Sequence, residues 1–178
     1  MASLVAAVPE DGLDRPTTCT RYTVGDLLDH VAGFALAFTA AAVKKPLAAG
    51  PTGDASNLPA DWRLRIPRDV LAVAEAWRDP GAWTGMTRAG GVDLPAEMAG
   101  VVALDELVIH GWDLATAIGQ PADYHESELE AVHGMVLHFR SSGIEGLFGP
   151  LVPVADHAPL FDRILGLAGR DPGWEPAR

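Results

Sequence analysis

Apolar positions recur along this chain at three- and four-residue intervals, the spacing of one helix face. Residues 1–8 make two apolar turns ended by Pro9, short for a bundle helix. Glu10 to Thr20 is a loop rich in Asp, Pro and Thr. The next helix has a well-marked start. Thr23 is placed as N-cap with Asp26 three residues on, a capping-box arrangement, and Tyr22 and Leu27 are spaced for a hydrophobic staple. Leu27, Leu28, His30, Val31, Phe34, Leu36 and Phe38 carry it to Val43. Lys44 and Lys45 suit its negative end, and Pro46 stops it. Residues 46–66 read as a long loop. Pro67 opens a third helix with Val70, Leu71, Val73, Ala74 and Trp77 on its apolar side, ended by Asp79-Pro80-Gly81. Trp83 to Asp93 is a Gly-rich connection with room for a short extended piece. Pro95 starts a central helix that runs to Ile118, with Gly119 as its C-terminal cap. Gly100 and Gly111 inside it cost about 1 kcal/mol each relative to Ala, so close backbone approach is expected there. Asp123 and Glu126 predict a second capping box, opening a helix from Tyr124 to Arg140. The tail begins as a loop at Ser141. A last short helix follows Pro159, capped by Gly169 and ended by Pro172. The pattern predicts an all-α fold without strand alternation. It predicts one domain over residues 1–178, with 141–178 packed on it as a C-terminal extension.

Composition narrows the function classes. The 178 residues are 48% hydrophobic and 21% charged, an ordinary globular balance. The net charge of −11 leaves no basic patch to neutralise phosphates, which argues against nucleic acid and against an anionic membrane. The longest apolar run, Val31 to Val43, is interrupted by Thr39 and is too short to span a bilayer. No secretory signal and no internal repeat is visible. Cys19 is the one cysteine, so an internal disulfide framework and a Cys-based zinc site are excluded, and a reducing cytoplasm fits.

The candidate chemistry lies in the central helix. Glu106 and His110 are four residues apart and share a face, and Asp113, seven residues beyond Glu106, falls on it too. Their neighbours Leu107, Val108, Ile109 and Leu114 are apolar. A carboxylate and an imidazole in such surroundings need partners, which a metal or a simple i,i+4 hydrogen bond would supply. His30, between Leu27 and Phe34 on the second helix, is the best third ligand, although a lone His there also reads as a core histidine. Two His and one carboxylate leave coordination positions open, as catalytic metal sites do. Asp26 and His133 are rival ligands better explained by capping and by an edge role. His125 and His138 read as solvent-facing, and His157 lies in a loop. There is no Gly-x-Ser-x-Gly nucleophile turn and no phosphate loop. Cys19 reads as a small buried residue, because nothing local would activate its thiol.

These residues carry a family resemblance. Pro16-Thr17-Thr18-Cys19-Thr20-Arg21-Tyr22-Thr23-Val24-Gly25-Asp26-Leu27-Leu28-Asp29-His30-Val31 resembles the Pro-Thr-x-Cys-x-x-Trp-Thr-Val-x-Asp-Leu-x-x-His-Val signature of the mycothiol-dependent maleylpyruvate isomerase-like proteins, of the DinB-like superfamily of metal-binding helical bundles. Glu106-Leu107-Val108-Ile109-His110-Gly111-Trp112-Asp113-Leu114-Ala115 is similar to that family's Glu-x-x-x-His-x-Trp-Asp-Leu-Ala signature. The ending, Phe148-Gly149-Pro150 to Gly169-Arg170-Asp171-Pro172, is similar to an actinobacterial-type subgroup. The resemblance implies a DinB-like four-helix bundle with a shortened first helix. It implies a divalent ion, usually zinc, on His30, Glu106 and His110. It also implies a low-molecular-weight thiol, mycothiol in the characterised relatives, as cosubstrate with an electrophilic substrate in a transferase or isomerase reaction. Asp113 would orient a ligand histidine or act as a base, or else serve in a salt bridge or capping contact. The alternative to an enzyme is a metal-binding or dimerising module of the same fold. Two departures stand out: Tyr22 replaces the usual Trp, and no basic residue of the motifs is assigned to a substrate carboxylate beyond Arg21 and Arg88. The stub of a first helix leaves apolar surface that a homodimer would cover.

Overall fold

The structure, a computed structural model, describes residues 1–45, 47, 53–142 and 147–176. Among them are six α-helices: α1 (Ala2–Ala7), α2 (Val24–Ala42), α3 (Trp62–Ala76), α4 (Ala96–Ile118), α5 (Glu126–Ser142) and α6 (Leu160–Leu167). One antiparallel hairpin, β1 (Met86–Ala89) with β2 (Val92–Pro95), joins α3 to α4. The all-α expectation holds, with this hairpin as the exception.

The hairpin has a local cause. Gly90 and Gly91 both take positive φ, +57° and +82°, as a two-residue turn matched to strand twist requires. Arg88 then pairs with Asp93 across the ladder through two hydrogen bonds of 2.8 and 2.7 Å. Arg88 is thereby engaged on the hairpin surface.

Three other boundaries differ from expectation. Helix α3 starts at Trp62, and Pro67 lies inside it. A proline there forgoes a backbone bond and strains the turn before it, at about 3 kcal/mol. Burial of Trp62 and Ile66 in the core offsets this. The Asp123–Glu126 capping box does not form. Helix α5 starts two residues later, where the Glu128 side chain accepts from the His125 N–H at 2.8 Å. It also runs past Arg140, with Ser141 and Ser142 hydroxyls donating to the carbonyls of His138 and Phe139. The start of α2 is as expected: Thr23 and Asp26 exchange both bonds of a capping box. Pro46, expected to end α2, lies outside the described residues.

Helix α4 is apolar on two sides because it faces two cores. Towards α1, α2 and α3, Ala99, Ala103, Leu114 and Ala117 join Val5, Leu27, Leu28, Val31, Phe34, Ile66 and Val70. Towards α5 and α6, Val108 and Ile109 join Val132, Met135, Val136, Ile164 and Leu165. Each fully buried Leu, Ile or Phe contributes about 1.5–3 kcal/mol. Helix α2, over the longer stretch Val24–Ala42, is long and apolar enough to cross a membrane by length and composition alone. Its apolar side chains are the centre of the first core. The short α1 is likewise seated in that core through Val5, with Val8 just beyond it.

Both glycines of α4 sit under aromatic neighbours. A Cβ on Gly111 would lie 2.5 Å from the Tyr124 hydroxyl, which donates to the Val108 carbonyl at 2.9 Å. A Cβ on Gly100 would lie 2.5 Å from the Trp83 ring and 2.8 Å from that of Trp77. Neither indole can yield easily, because Trp83 donates to the Trp77 carbonyl (2.7 Å) and Trp77 to that of Phe38 (3.1 Å). Gly100→Ala is therefore expected to destabilise by about 1–3 kcal/mol, despite the better helix propensity of Ala. Urea denaturation checks this, and a stabilised variant would contradict the packing described.

Candidate metal centre

Two helices and one loop build the site. The capping box fixes where α2 begins, and His30 lies two turns further on. Glu106 and His110 are one turn apart in the middle of α4. The loop before α2 is pinned by Thr17, whose hydroxyl donates to the carbonyls of Cys19 (3.0 Å) and Tyr22 (2.7 Å). Tyr22 does not act only as a staple. Its ring lies over the imidazoles of His30 and His110, at centroid distances of 5.3 and 6.3 Å.

His30, Glu106 and His110 converge. One donor atom from each lies within 4.8 Å of the others. Glu106 Oε2 is 3.3 Å from His30 Nε2 and 3.3 Å from His110 Nε2. A good charge-assisted hydrogen bond is shorter, about 2.7–2.9 Å. Ligands about 2.0–2.1 Å from one tetrahedral ion are about 3.3–3.4 Å apart. Both Glu106 distances thus match the edge of such a site.

The protonation pattern agrees. His110 Nδ1 is 2.8 Å from Asp113 Oδ2. Asp113 is a carboxylate and can only accept, so the proton belongs on Nδ1. That leaves Nε2 of His110 facing the Glu106 carboxylate. Two lone pairs repel unless a proton or a metal lies between them. Burial pushes the Glu106 carboxyl up, but the hydrogen bond to His30 and the charges of His110, His30 and Arg170 outweigh it and hold it below its usual value. The side chains of His30, Glu106 and His110 are 12, 22 and 11% exposed, so the cluster is partly open to solvent.

Asp113 is wholly buried, and its two oxygens accept four hydrogen bonds. Oδ1 takes the Thr18 hydroxyl and Arg170 Nε (3.2 Å), and Oδ2 takes His110 Nδ1 (2.8 Å) and Arg170 Nη2 (2.9 Å). These fill the lone-pair sites of a carboxylate. Burial would raise its pKa, but the His110 hydrogen bond and the charge and hydrogen bonds of Arg170 bring it down to about 2. Arg170 reaches Asp113 because α6 ends in a Schellman turn. Gly169 takes φ +78°, its N–H bonds the Gly166 carbonyl, and the Arg170 N–H bonds that of Leu165 (2.8 Å). A Cβ on Gly169 would also lie 2.7 Å from the Gly149 backbone. Arg140 clamps the same region, donating to the carbonyls of Leu167 (2.8 Å) and Gly149 (2.6 Å).

Three participants were not singled out by spacing. Thr18 and Arg170 lie 95 and 57 residues from Asp113. Their only sequence signal is membership of the first motif and of the similar ending. Asp105, buried beside Glu106, has an oxygen with no hydrogen-bond partner among the described residues. Burial, with Glu106 adding to it, pushes its carboxyl well above the usual range. Asp26 belongs to the capping box and also accepts from the Ala55 N–H at 2.9 Å. His133 is half-buried near Asp156 and Arg163, away from the cluster. His125, His138 and His157 are exposed, and Cys19 is buried.

The low pKa of Asp113 has a signed consequence. A folded-state value below the unfolded one contributes stability above the unfolded pKa, and this is lost as pH falls towards the folded pKa. With metal chelated, the wild type should lose about 2 kcal/mol between about pH 4 and pH 2 that Asp113→Asn does not lose. Urea unfolding across that window measures the difference, and parallel pH profiles would refute it.

The uncharacterized proteins Rv0738 and MT0763, from two strains of Mycobacterium tuberculosis, are each 29% identical to the chain over 178 residues, covering 95% of it and 91% of their own length. No solved structure matches. The family model described as the mycothiol maleylpyruvate isomerase N-terminal domain matches residues 1–115, a stretch that contains His30, Glu106, His110 and Asp113. The chain therefore belongs to the mycothiol maleylpyruvate isomerase N-terminal domain family, on a DinB-like all-α fold.

Proposed function

We propose that this protein binds one divalent ion, zinc by its donor set, through His30, Glu106 and His110. We further propose that it uses the site in a thiol-dependent transferase or isomerase reaction with a mycothiol-type cosubstrate. The observation that carries the reading is the convergence of three donor atoms, with the far nitrogen of His110 2.8 Å from Asp113. The chemistry such an ion supplies when bound is Lewis acidity, which favours the thiolate form of a coordinating thiol.

The chain's own residues have distinct parts in this reading. Glu106 brings the negative charge that a dication needs. His30 and His110 bring neutral donors. Asp113 holds His110 in one tautomer and one orientation, and Arg170 and Thr18 hold Asp113. With its oxygens filled, Asp113 is a positioning residue and is poorly placed as a base. The Tyr22 ring covers the imidazoles and limits water at that side. The electrophilic substrate approaches from the exposed side of Glu106. A cytoplasmic setting suits a thiol cosubstrate and a lone free cysteine.

Metal content by elemental analysis tests the assignment. The wild type is expected to carry about one equivalent of a divalent ion, and His110→Ala and Glu106→Gln to carry almost none. Arg170→Met keeps every ligand but loosens Asp113, and should weaken metal affinity by about 10–100-fold. If zinc-supplied wild type holds no ion and His110→Ala matches it, the reading fails. Metal-loaded protein that turns over no electrophile with any low-molecular-weight thiol would reduce it to the binding module.

A further inference from the structure

A cavity is lined by Thr18 and Arg170, both of which hold Asp113. It has a volume of about 550 Å³, within the range of about 300–1,000 Å³ found for small-molecule sites. One wall is the loop bearing Thr18, Cys19 and Arg21. The other is the C-terminal segment bearing Phe148, Leu151 and Arg170. His30, Glu106 and His110 do not line it. The segment that forms its second wall lies beyond the residues that match the family model.

The lining has a definite chemistry. A guanidinium has five N–H donors. Three of those of Arg170 are engaged, two on Asp113 and one on the Ala168 carbonyl at 2.9 Å. The other two, one on each terminal nitrogen, have no acceptor among the described residues, although the residue is only 8% exposed. Buried donors without acceptors are costly. Asp113 offsets the charge of Arg170. Arg21 adds a cation at the rim that forms no ion pair among the described residues and lies 5.7 Å over the Tyr22 ring. In the same lining, Leu151 is 61% exposed and Phe148 is half-buried. Cationic donors and apolar surface in one cavity match a compact ligand that is anionic at one end and apolar at the other.

We infer that the cavity between the Thr18–Arg21 loop and the Phe148–Arg170 segment is a second binding site, for a small carboxylate with an apolar body. The carboxylate meets Arg21 and the two remaining N–H groups of Arg170. The apolar body lies against Phe148 and Leu151 and covers the exposed leucine. None of its groups is a proposed metal ligand, but Arg170 and Thr18 are shared with the support of the metal centre through Asp113.

Benzoate is the probe, with benzamide as its uncharged counterpart. Both are titrated into the full-length protein and followed by amide chemical shifts, with and without chelator. Saturable benzoate binding is expected in both conditions, with shifts at residues 18–21 and 148–152 and at Arg170. Benzamide should bind at least about tenfold more weakly. Arg21→Ala should weaken benzoate by about tenfold while thermal unfolding and metal content stay at wild-type values. Leu151→Trp fills the space from its exposed rim and should abolish binding, with metal content again unchanged. Should Arg21→Ala fold poorly, Arg21→Gln gives the same comparison. The inference is overturned by non-saturable binding, by equal affinity for benzamide, by indifference to both substitutions, or by shifts confined to His30, Glu106 and His110. Loss of metal in His110→Ala with benzoate binding intact would separate this site from the metal centre.

Discussion

The arrangement turns on one buried negative charge. Asp113 is removed from water entirely, and an unpaired carboxylate so placed would cost several kcal/mol. It is tolerable only because three parts of the chain meet it: the loop before α2 through Thr18, its own helix through His110, and the segment after α6 through Arg170. Each contact also fixes its donor. The same carboxylate therefore sets the tautomer of a cluster histidine, anchors the first motif loop and docks the C-terminal segment. Removing any one partner would leave the others around a charge they only partly satisfy.

What was legible in the sequence was local. The capping box at Thr23 and Asp26, the shared face of Glu106 and His110, and the left-handed glycines ending α4 and α6 depend on residues within a few positions of each other. Those readings carried over. His30 was reachable because it lies on an apolar stripe that must face inwards, and α2 packs on α4. The rest depended on partners that spacing cannot supply. The start of α3 was misplaced because Pro67 resembles a first-turn proline, and only the core contacts of Trp62 and Ile66 explain the helix before it. Tyr124 looked like a helix residue, but its hydroxyl is held by α4 and the helix waits for His125. The Gly90-Gly91 turn was visible as glycines, and only the Arg88–Asp93 pair across it makes the hairpin. Arg170 had no periodic context at all.

Helix α4 explains why the site lies where it does. It is packed from both sides, so its backbone is held more rigidly than that of a helix with one wet face. Its two interior glycines let Trp77, Trp83 and Tyr124 approach closely. A cluster at its middle inherits that rigidity, as a metal centre or a proton-sharing group requires.

The long separations around Asp113 also impose an order of events on a chain made from its N-terminus. His30, Glu106, His110 and Thr18 are all synthesised before or close to Asp113, whereas Arg170 follows it by 57 residues. For that interval the carboxylate has a hydroxyl and an imidazole but no guanidinium. It must stay hydrated, and the α4 face it occupies must stay open until α5 and α6 have formed. The first core draws its apolar residues from positions up to 118, so all of them are made before α5 and α6. The second closes last, and the final turn of α6 delivers the cation that lets the carboxylate leave water.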